Sequence, residues 1–466
     1  MPMALDNQLL AYQWILFAFA VAVAVIATIA LFASKKVNVP LLFSLIVLLL
    51  GMVYMFIIPP FSVPDEPTHY RTSYTLSNAI LSREDEGAVP PDGFTGLNTS
   101  VAYQKVLDGL RSEDGPAYIN AGGNNIGFLT VQYIPQALGL SLARVLSLNP
   151  MLTFLTGRLA NLLFYALCVF LAIKLTPRFA LPMGLVSILP ISLQQAASFS
   201  YDGYLNGLFL IALAISFKAI YEDGPIKGSS IFAVVAVAAL LAPAKAVYSI
   251  VLLFLFLIPS SRFRSRRVKV ILCVLICLAA FAGACWTYRG YIISIVSGSH
   301  EAAGRYYPIS SFWENPAGTA LVFANTVKEY GILWLIDAFG SALSTLTLVI
   351  PHALAFGIIL VVFASALRTP DDSPVGAANR VAFFAVIAAV LFATMVIMFL
   401  EWTPNGYPTI EGIQGRYFTP LIPLGCAAIN NRKLCIRNDI DRYLITAMLL
   451  MQCCVIEYVL RYTLAH

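Results

Sequence analysis

Residues 40–71 read PLLFSLIVLLLGMVYMFIIPPFSVPDEPTHYR, an apolar run that stops at a proline-bracketed acidic turn. The run is long enough to cross a membrane, because about 20 residues at 1.5 Å each cover roughly 30 Å of hydrocarbon. Pro59, Pro60, Pro64 and Pro67 keep the following stretch out of that helix, since proline lacks the amide donor that a helix interior needs. Asp65 and Glu66 therefore stand at a membrane surface, where ionisable groups are hydrated, paired or used.

Runs of similar character recur along the chain. Of 466 residues, 59% are hydrophobic and 11% charged, whereas soluble domains are about a quarter charged. Candidate spans are residues 11–33, 40–58, 155–174, 181–198, 204–220, 228–242, 247–260, 269–287, 345–367, 381–400, 417–430 and 443–460. The first is too long for a signal-peptide core and has no basic start, so it is expected to be a true span. The expected fold is an all-α polytopic membrane protein with about 12 transmembrane helices.

Basic residues orient those spans. Lys35 and Lys36, Lys174 and Arg178, Lys218 and Lys227, Arg262 to Lys269, Arg368 and Arg380, and Arg432 to Arg442 fall in alternate connections. The positive-inside rule makes these cytoplasmic. Parity then turns residues 59–154, the turn after Ser200, the turn at Lys245, residues 288–344 and residues 401–416 outward. Ile126–Val145 would break the parity if it crossed. With Asn124, Asn125, Gln132, Tyr133, Gln136 and Arg144 beside or within it, it is expected to lie along the outer interface. Residues 316–340, with Lys328, Glu329 and Asp337 on one side, are expected to form a second interfacial helix.

Several function classes drop out. The net charge of +5 comes largely from residues beside spans, so no nucleic-acid partner is expected. Cys273 and Cys277 are one helical turn apart but have no His or carboxylate nearby, which predicts neither disulfide nor metal. His300, His352 and His466 are isolated, and Tyr306, Tyr307 and Trp313 suit an interfacial belt. There is no glycine-rich phosphate loop for ATP-driven transport. No Asp-x-Asp pair stands beside the acidic turn; a divalent metal is not indicated, and the cofactor is left open.

The polar groups expected near the outer surface are few. They are Asp65, Glu66, His69 and Arg71 in the first loop, Arg158 at the head of the third span, Asp202, Lys245, and Arg416 with Tyr417. Arg and Lys can clamp a lipid phosphate. A carboxylate such as Asp65 can take the proton of an attacking hydroxyl. Each residue also has a structural reading. Asp65, Glu66 and Asp202 can serve as turn or helix caps, and Arg158 and Arg416 can snorkel. Lys245 would cost about 2.5 to 3.5 kcal/mol inside the core, which favours an outer turn with an anion partner.

Four ordered motifs carry a resemblance: residues 59–70 (PPFSVPDEPTHY), 157–161 (GRLAN), 195–202 (QAASFSYD) and 414–420 (QGRYFTP). Over residues 45 to 430 the chain resembles the bacterial domain-of-unknown-function 2142 membrane proteins, which look like a branch of the GT-C superfamily. Tyr201 stands where that family usually has proline. The resemblance implies a glycosyltransferase of the bacterial inner membrane, working on the outer face with a polyprenyl-phosphate-linked sugar donor and a glycan or lipid-linked acceptor. It implies Asp65 as catalytic base, with Glu66 second; taken with the clustering of charges at one depth, the expected reaction is an inverting transfer in which Glu66 and Asp202 orient acceptor or base, Arg416, Lys245 and Arg158 hold the phosphate, His69 assists, and Arg71 and Tyr417 bind substrate. It divides the chain into an added helix (1–39), a catalytic module (40–287) whose first outer loop is 59–154, a second outer loop (288–344) and C-terminal helices (345–466). A transporter or flippase of lipid-linked sugars, and a polymerase or ligase using a diphosphate-linked donor, remain alternatives.

Overall fold

The computed structural model describes residues 7–34, 36–83, 87–88, 99–112, 118–119, 128–297, 305–367 and 375–465. Lys35, Asn124, Asn125, Ile126, His300, Arg368 and His466 lie outside the described residues. The chain is built from helices α1 (Asn7–Ala33), α2 (Val39–Ile57), α3 (Glu66–Leu81), α4 (Ser100–Arg111), α5 (Ile134–Val145), α6 (Pro150–Leu175), α7 (Ala180–Ser187), α8 (Pro190–Ala196) and α9 (Asp202–Tyr221). There follow α10 (Gly228–Lys245), α11 (Arg266–Thr287), α12 (Arg289–Val296), α13 (Ser311–Glu314), α14 (Pro316–Ala338), α15 (His352–Ala366), α16 (Ala377–Glu401), α17 (Ile422–Ile429) and α18 (Asp441–Ala465). Two antiparallel two-residue ladders pair β1 (Gly87–Ala88) with β2 (Tyr118–Ile119), and β3 (Ala342–Leu343) with β4 (Leu348–Val349).

Local chemistry starts the long helices where the apolar runs begin. Asn38 caps α2 by accepting from the Leu41 amide, and Asn149 caps α6 by accepting from Leu152. Both helices carry proline in the first turn, where its missing donor costs nothing. The core centres on α2, α6 and α9 with the α7–α8 pair, and helix approach there depends on absent side chains. A Cβ on Gly139 of α5 would stand 2.5 Å from the Thr156 carbonyl and 2.7 Å from the Ala160 Cβ of α6. Helix α1 packs on α2 and α18, and Tyr12 donates to the Phe56 carbonyl at 3.3 Å.

Among the described residues, 8 helices are long and apolar enough to cross a membrane, or up to 9 if α7 and α8, bent by 77°, form one broken span. The expected count of twelve is not reached by this measure, because four of the expected segments are not separate long helices. Residues 181–198 break at Pro190, and residues 247–260 are a 3-10 helix over Ala246–Leu257. Residues 345–367 begin in the β3–β4 hairpin and leave only 15 residues of α15. Residues 417–430 form a 3-10 turn over Gly415–Leu421, containing Pro420, before the 8 residues of α17. Proline accounts for the breaks in the first and last of these.

Several connections that carry the basic residues are tied by hydrogen bonds. At one end Arg442 donates to the Ser34 carbonyl, Asn430 to Ala366, and Arg262 to Gly224, Lys218 and Ala219. The acidic turn and the starts of α6 and α9 gather at the other. Segment Ile134–Val145 does not cross, but it also does not lie apart along a surface. It folds back antiparallel on the first half of α6 through Gly139 and Gly157, a close approach that its composition does not show. The expected interfacial helix is α14, but its charged residues do not share one side: Lys328 and Glu329 are exposed beside exposed Leu321, Ile332 and Leu335, whereas Asp337 is half-buried and accepts from Ser341.

Gly228–Leu257 has the length of a single 30-residue span, yet it is a hairpin. Lys245 adopts extended backbone where α10 ends, and Ser249 donates to the Ala238 carbonyl eleven residues back at 3.1 Å. Two segments of one continuous helix cannot meet in this way. With the eight native cysteines replaced, single cysteines at Gly228 and Ser261 are expected to react with an impermeant thiol reagent from the same side of sealed vesicles. One at Ala246 should react from the other side. Labelling of 228 and 261 from opposite sides would mean one continuous crossing.

Candidate functional site

The site grows from the turn between α2 and α3. Asp65 has φ 61° and ψ 7°, a left-handed conformation that Asp tolerates better than most residues. Its carbonyl accepts from the Thr68 and His69 amides, but its side chain makes no capping bond. The carboxylate is 65% exposed. Capping therefore does not account for Asp65. The turn is held from outside by Ser344 of the β3–β4 hairpin, whose Oγ donates to the Ser62 carbonyl at 2.9 Å and whose amide donates to Gln194 Oε1 at 2.7 Å.

Glu66 and Arg158 hold it from inside, both with 0% side-chain exposure. Arg158 Nε and Nη2 donate to the two Glu66 oxygens at 2.9 and 2.7 Å. Nη1 donates to the carbonyls of Met55 and Ile58 at 3.1 and 2.6 Å, and Nη2 also reaches Pro59 at 3.0 Å. These five contacts use every N–H of the guanidinium. Glu66 Oε1 accepts in addition the Phe199 amide at 3.1 Å. The expectation that Arg158 holds a phosphate and Glu66 assists catalysis is thus corrected. Arg158 satisfies carbonyls at the end of α2 that the helix itself leaves without donors, and neither side chain reaches solvent.

The other charged residues converge. Arg416 Nη2 lies 3.3 Å from Asp65 Oδ2, and Arg416 Nη1 lies 3.6 Å from Asp202 Oδ2. Lys245 Nζ donates to Asp202 Oδ1 at 3.2 Å. Gln195 donates to Asp202 Oδ2 at 3.2 Å and accepts from Asn206 at 2.7 Å. Asp202 is the first residue of α9 and makes no capping bond; its amide instead donates to Ser200 Oγ at 3.2 Å. Lys245 stands 3.7 Å from the centroid of the Tyr417 ring, a cation–π contact. Gly415 lets the strand of backbone before Arg416 press against α14, since a Cβ there would fall 2.6 Å from the Trp334 carbonyl.

Two carboxylates and two cations from four separate parts of the chain thus form a neutral quartet. Its members are not equivalent. Asp202 is buried and bonded on both oxygens, whereas Asp65 is open to solvent. Arg416 is 5% exposed, and its Nε and Nη1 make no close hydrogen bond among the described residues, although Nη1 faces Asp202 at ion-pair distance and the Tyr417 hydroxyl interacts with the guanidinium. Buried donors without partners are costly, and an anion beside this guanidinium would satisfy them.

His69 borders the quartet and bonds through Nδ1 to the Tyr133 hydroxyl at 2.8 Å. The Tyr201 ring lies 5.0 Å away. Burial lowers the His69 pKa from 6.5 to about 4, outweighing Asp202 and Asp65, which raise it; Arg416 and Lys245 lower it further. The ring is neutral at pH 7. Burial pushes the Tyr133 hydroxyl up, so it keeps its proton. Arg71 is exposed on α3 and does not join the cluster. Gln195, Tyr133 and Tyr201 are site residues that sequence reasoning did not single out. Among the described residues no group of three or more His, Cys, Asp or Glu is placed to hold a metal ion.

Once the geometry is in place, comparison with known proteins gives one identification. The model of a family described as predicted membrane protein (DUF2142) matches residues 48–425. The chain belongs to that family. No curated protein and no solved structure matches it.

Glu66→Gln leaves a buried cation facing a neutral partner and is expected to destabilise the protein by about 3–5 kcal/mol. A thermal-shift measurement in detergent reads this; an unchanged transition would deny the pair its structural role. The second expectation concerns pH. Between 6.5 and about 4 the unfolded chain protonates His69 while the folded protein does not, so stability falls as pH drops through this window. His69→Gln is expected to flatten that decline, and an identical pH profile in wild type and variant would refute the buried neutral imidazole.

Proposed function

We propose that this protein is an inverting glycosyltransferase that takes a sugar from a polyprenyl-phosphate donor on the outer face of a bacterial inner membrane and gives it to a glycan or lipid-linked acceptor. The GT-C resemblance supplies the reaction class. The observation that carries the assignment of parts is Arg416, buried, with unused N–H groups, 3.3 Å from the exposed carboxylate of Asp65. An anion clamp and an accessible base thus share one edge of one site.

In this reading the acceptor hydroxyl attacks the anomeric carbon while Asp65 takes its proton. The bond from that carbon to the phosphate oxygen breaks on the opposite face, which inverts the configuration. The electron pair leaves with the prenyl phosphate, whose added charge falls to Arg416 and Lys245. Asp202 is the positioning partner of both cations rather than a second base, because its oxygens are already engaged. The polarity of the membrane-crossing part fits an enzyme better than a carrier. Glu457, the clearest charge within a span, pairs with Arg461 one turn on, and both are exposed on α18.

Asp65→Asn is the direct test, since Asn tolerates the same left-handed backbone and keeps the side-chain size while removing the base and the charge that faces Arg416. With purified variant and a radiolabelled prenyl-phosphate sugar, transfer is expected to fall by about 10²–10⁴-fold while the thermal transition is kept. Full transfer by a folded Asp65→Asn protein would remove Asp65 from the role of base.

A further inference from the structure

We infer that the groove between α14, α15, α16 and α17 seats the isoprenoid chain of the lipid-phosphate donor; this rests on the function proposed above. The groove has a volume of about 650 Å³, in the range of about 300–1,000 Å³ usual for ligand sites. No residue lining it carries a charge, an amide or a hydroxyl. Toward the charged quartet it is bounded by Trp334 and Phe418, whose rings are 6.0 Å apart. From Phe418 it follows the 3-10 turn and α17 to Ile429, a path of roughly 18 Å by helical rise.

Two glycines set this groove apart from an ordinary gap between helices. Gly139 and Gly203 are needed for contact, since their added Cβ atoms would meet neighbours at 2.5 and 2.9 Å. Gly331 of α14 and Gly425 of α17 both line the groove and are not crowded. Their Cβ atoms would find Val327 Cγ1 at 3.5 Å and Ile387 Cδ1 at 3.9 Å. Glycine weakens a helix interior, and neither position needs it for packing or for a positive φ. What the two glycines do is keep the groove open.

The occupant follows from what adjoins the groove. Phe418 lies two residues after Arg416 in one 3-10 turn, and Gly415 touches the backbone of Trp334 and Ala338, both groove residues. An anionic head at Arg416 and Lys245 therefore has an apolar path beginning one 3-10 turn away at Phe418, with Asp337 and Thr419 the polar side chains at that turn. A single-chain prenyl monophosphate has this shape and charge.

The test is equilibrium binding to the full chain in nanodiscs of phosphatidylcholine. The probes are decaprenyl monophosphate, and geranyl monophosphate as a short-chain control. The double variant Gly331→Leu, Gly425→Leu is expected to weaken decaprenyl binding about tenfold, since it excludes a few methylenes from the groove, and to leave geranyl binding unchanged. Arg416→Gln is expected to weaken both. If the double variant binds decaprenyl monophosphate as wild type does while Arg416→Gln loses both probes, the groove assignment is overturned and the head site stands. If Arg416→Gln loses neither, the phosphate site fails and the proposed function with it. Displacement of decaprenyl monophosphate by equimolar phosphatidylglycerol would make the groove an ordinary phospholipid site and overturn the inference. Should the double variant not fold, Gly425→Leu alone gives the same comparison.

Discussion

The structure depends first on the fully buried ion pair of Arg158 and Glu66. Taking two charges out of water is expensive unless every lone pair and proton finds a partner, and here the five guanidinium N–H groups all do. The partners are informative. Three are carbonyls at the end of α2 and just beyond it, and one Glu66 oxygen also takes the Phe199 amide between α8 and α9. One side chain from α6 thus ties the end of α2, the start of α3 and the approach to α9. The left-handed turn at Asp65 is paid for by this tie, because the residue after it cannot move without leaving Arg158 unpaired.

That arrangement separates two neighbouring carboxylates by function. Glu66 faces inward and is consumed by structure; Asp65, one residue earlier, faces solvent. An ordinary helix entry would turn the first carboxylate back to cap the helix. The positive φ at Asp65 points it instead toward Arg416, which arrives 351 residues later in the sequence. Asp202 makes a parallel contrast. It neutralises Lys245 and Arg416 and so offsets the repulsion of two cations in a buried site, while leaving Nε of Arg416 without a hydrogen-bond acceptor and Nη1 with only the 3.6 Å ion pair.

Much of this was legible in the chain because ionisable residues at the ends of apolar runs have few places to go. Asp65, His69, Asp202, Lys245, Arg416 and Tyr417 were all marked by that logic, and the structure brings them together. Lys245 was the clearest, since the cost of a lysine within an apolar stretch forces the turn that the Ser249 to Ala238 bond displays. The role of Arg158 was not legible, because its acceptors are mostly backbone carbonyls, which a sequence does not display. Tyr133 was hidden for another reason: an aromatic residue beside an apolar run reads equally as a membrane belt. Hydropathy also does not tell a single helix from a broken one, because proline-bearing runs such as 181–198 and 417–430 keep their apolar score where they stop being single helices.

The quartet also bears on how the proposed transfer would use an arginine held by two carboxylates. In the free protein Arg416 is shared between Asp65 and Asp202. Under the function proposed above, a bound phosphate would compete for the same guanidinium, and its negative charge would grow as the bond to the sugar breaks. Arg416 would then be drawn from Asp65 toward the leaving group. Asp202 would undergo no such change, because Lys245 and Gln195 hold its oxygens. Sharing one arginine between the two carboxylates would therefore free Asp65 for the acceptor hydroxyl as the phosphate departs, with the buried carboxylate as the fixed support against which that shift occurs.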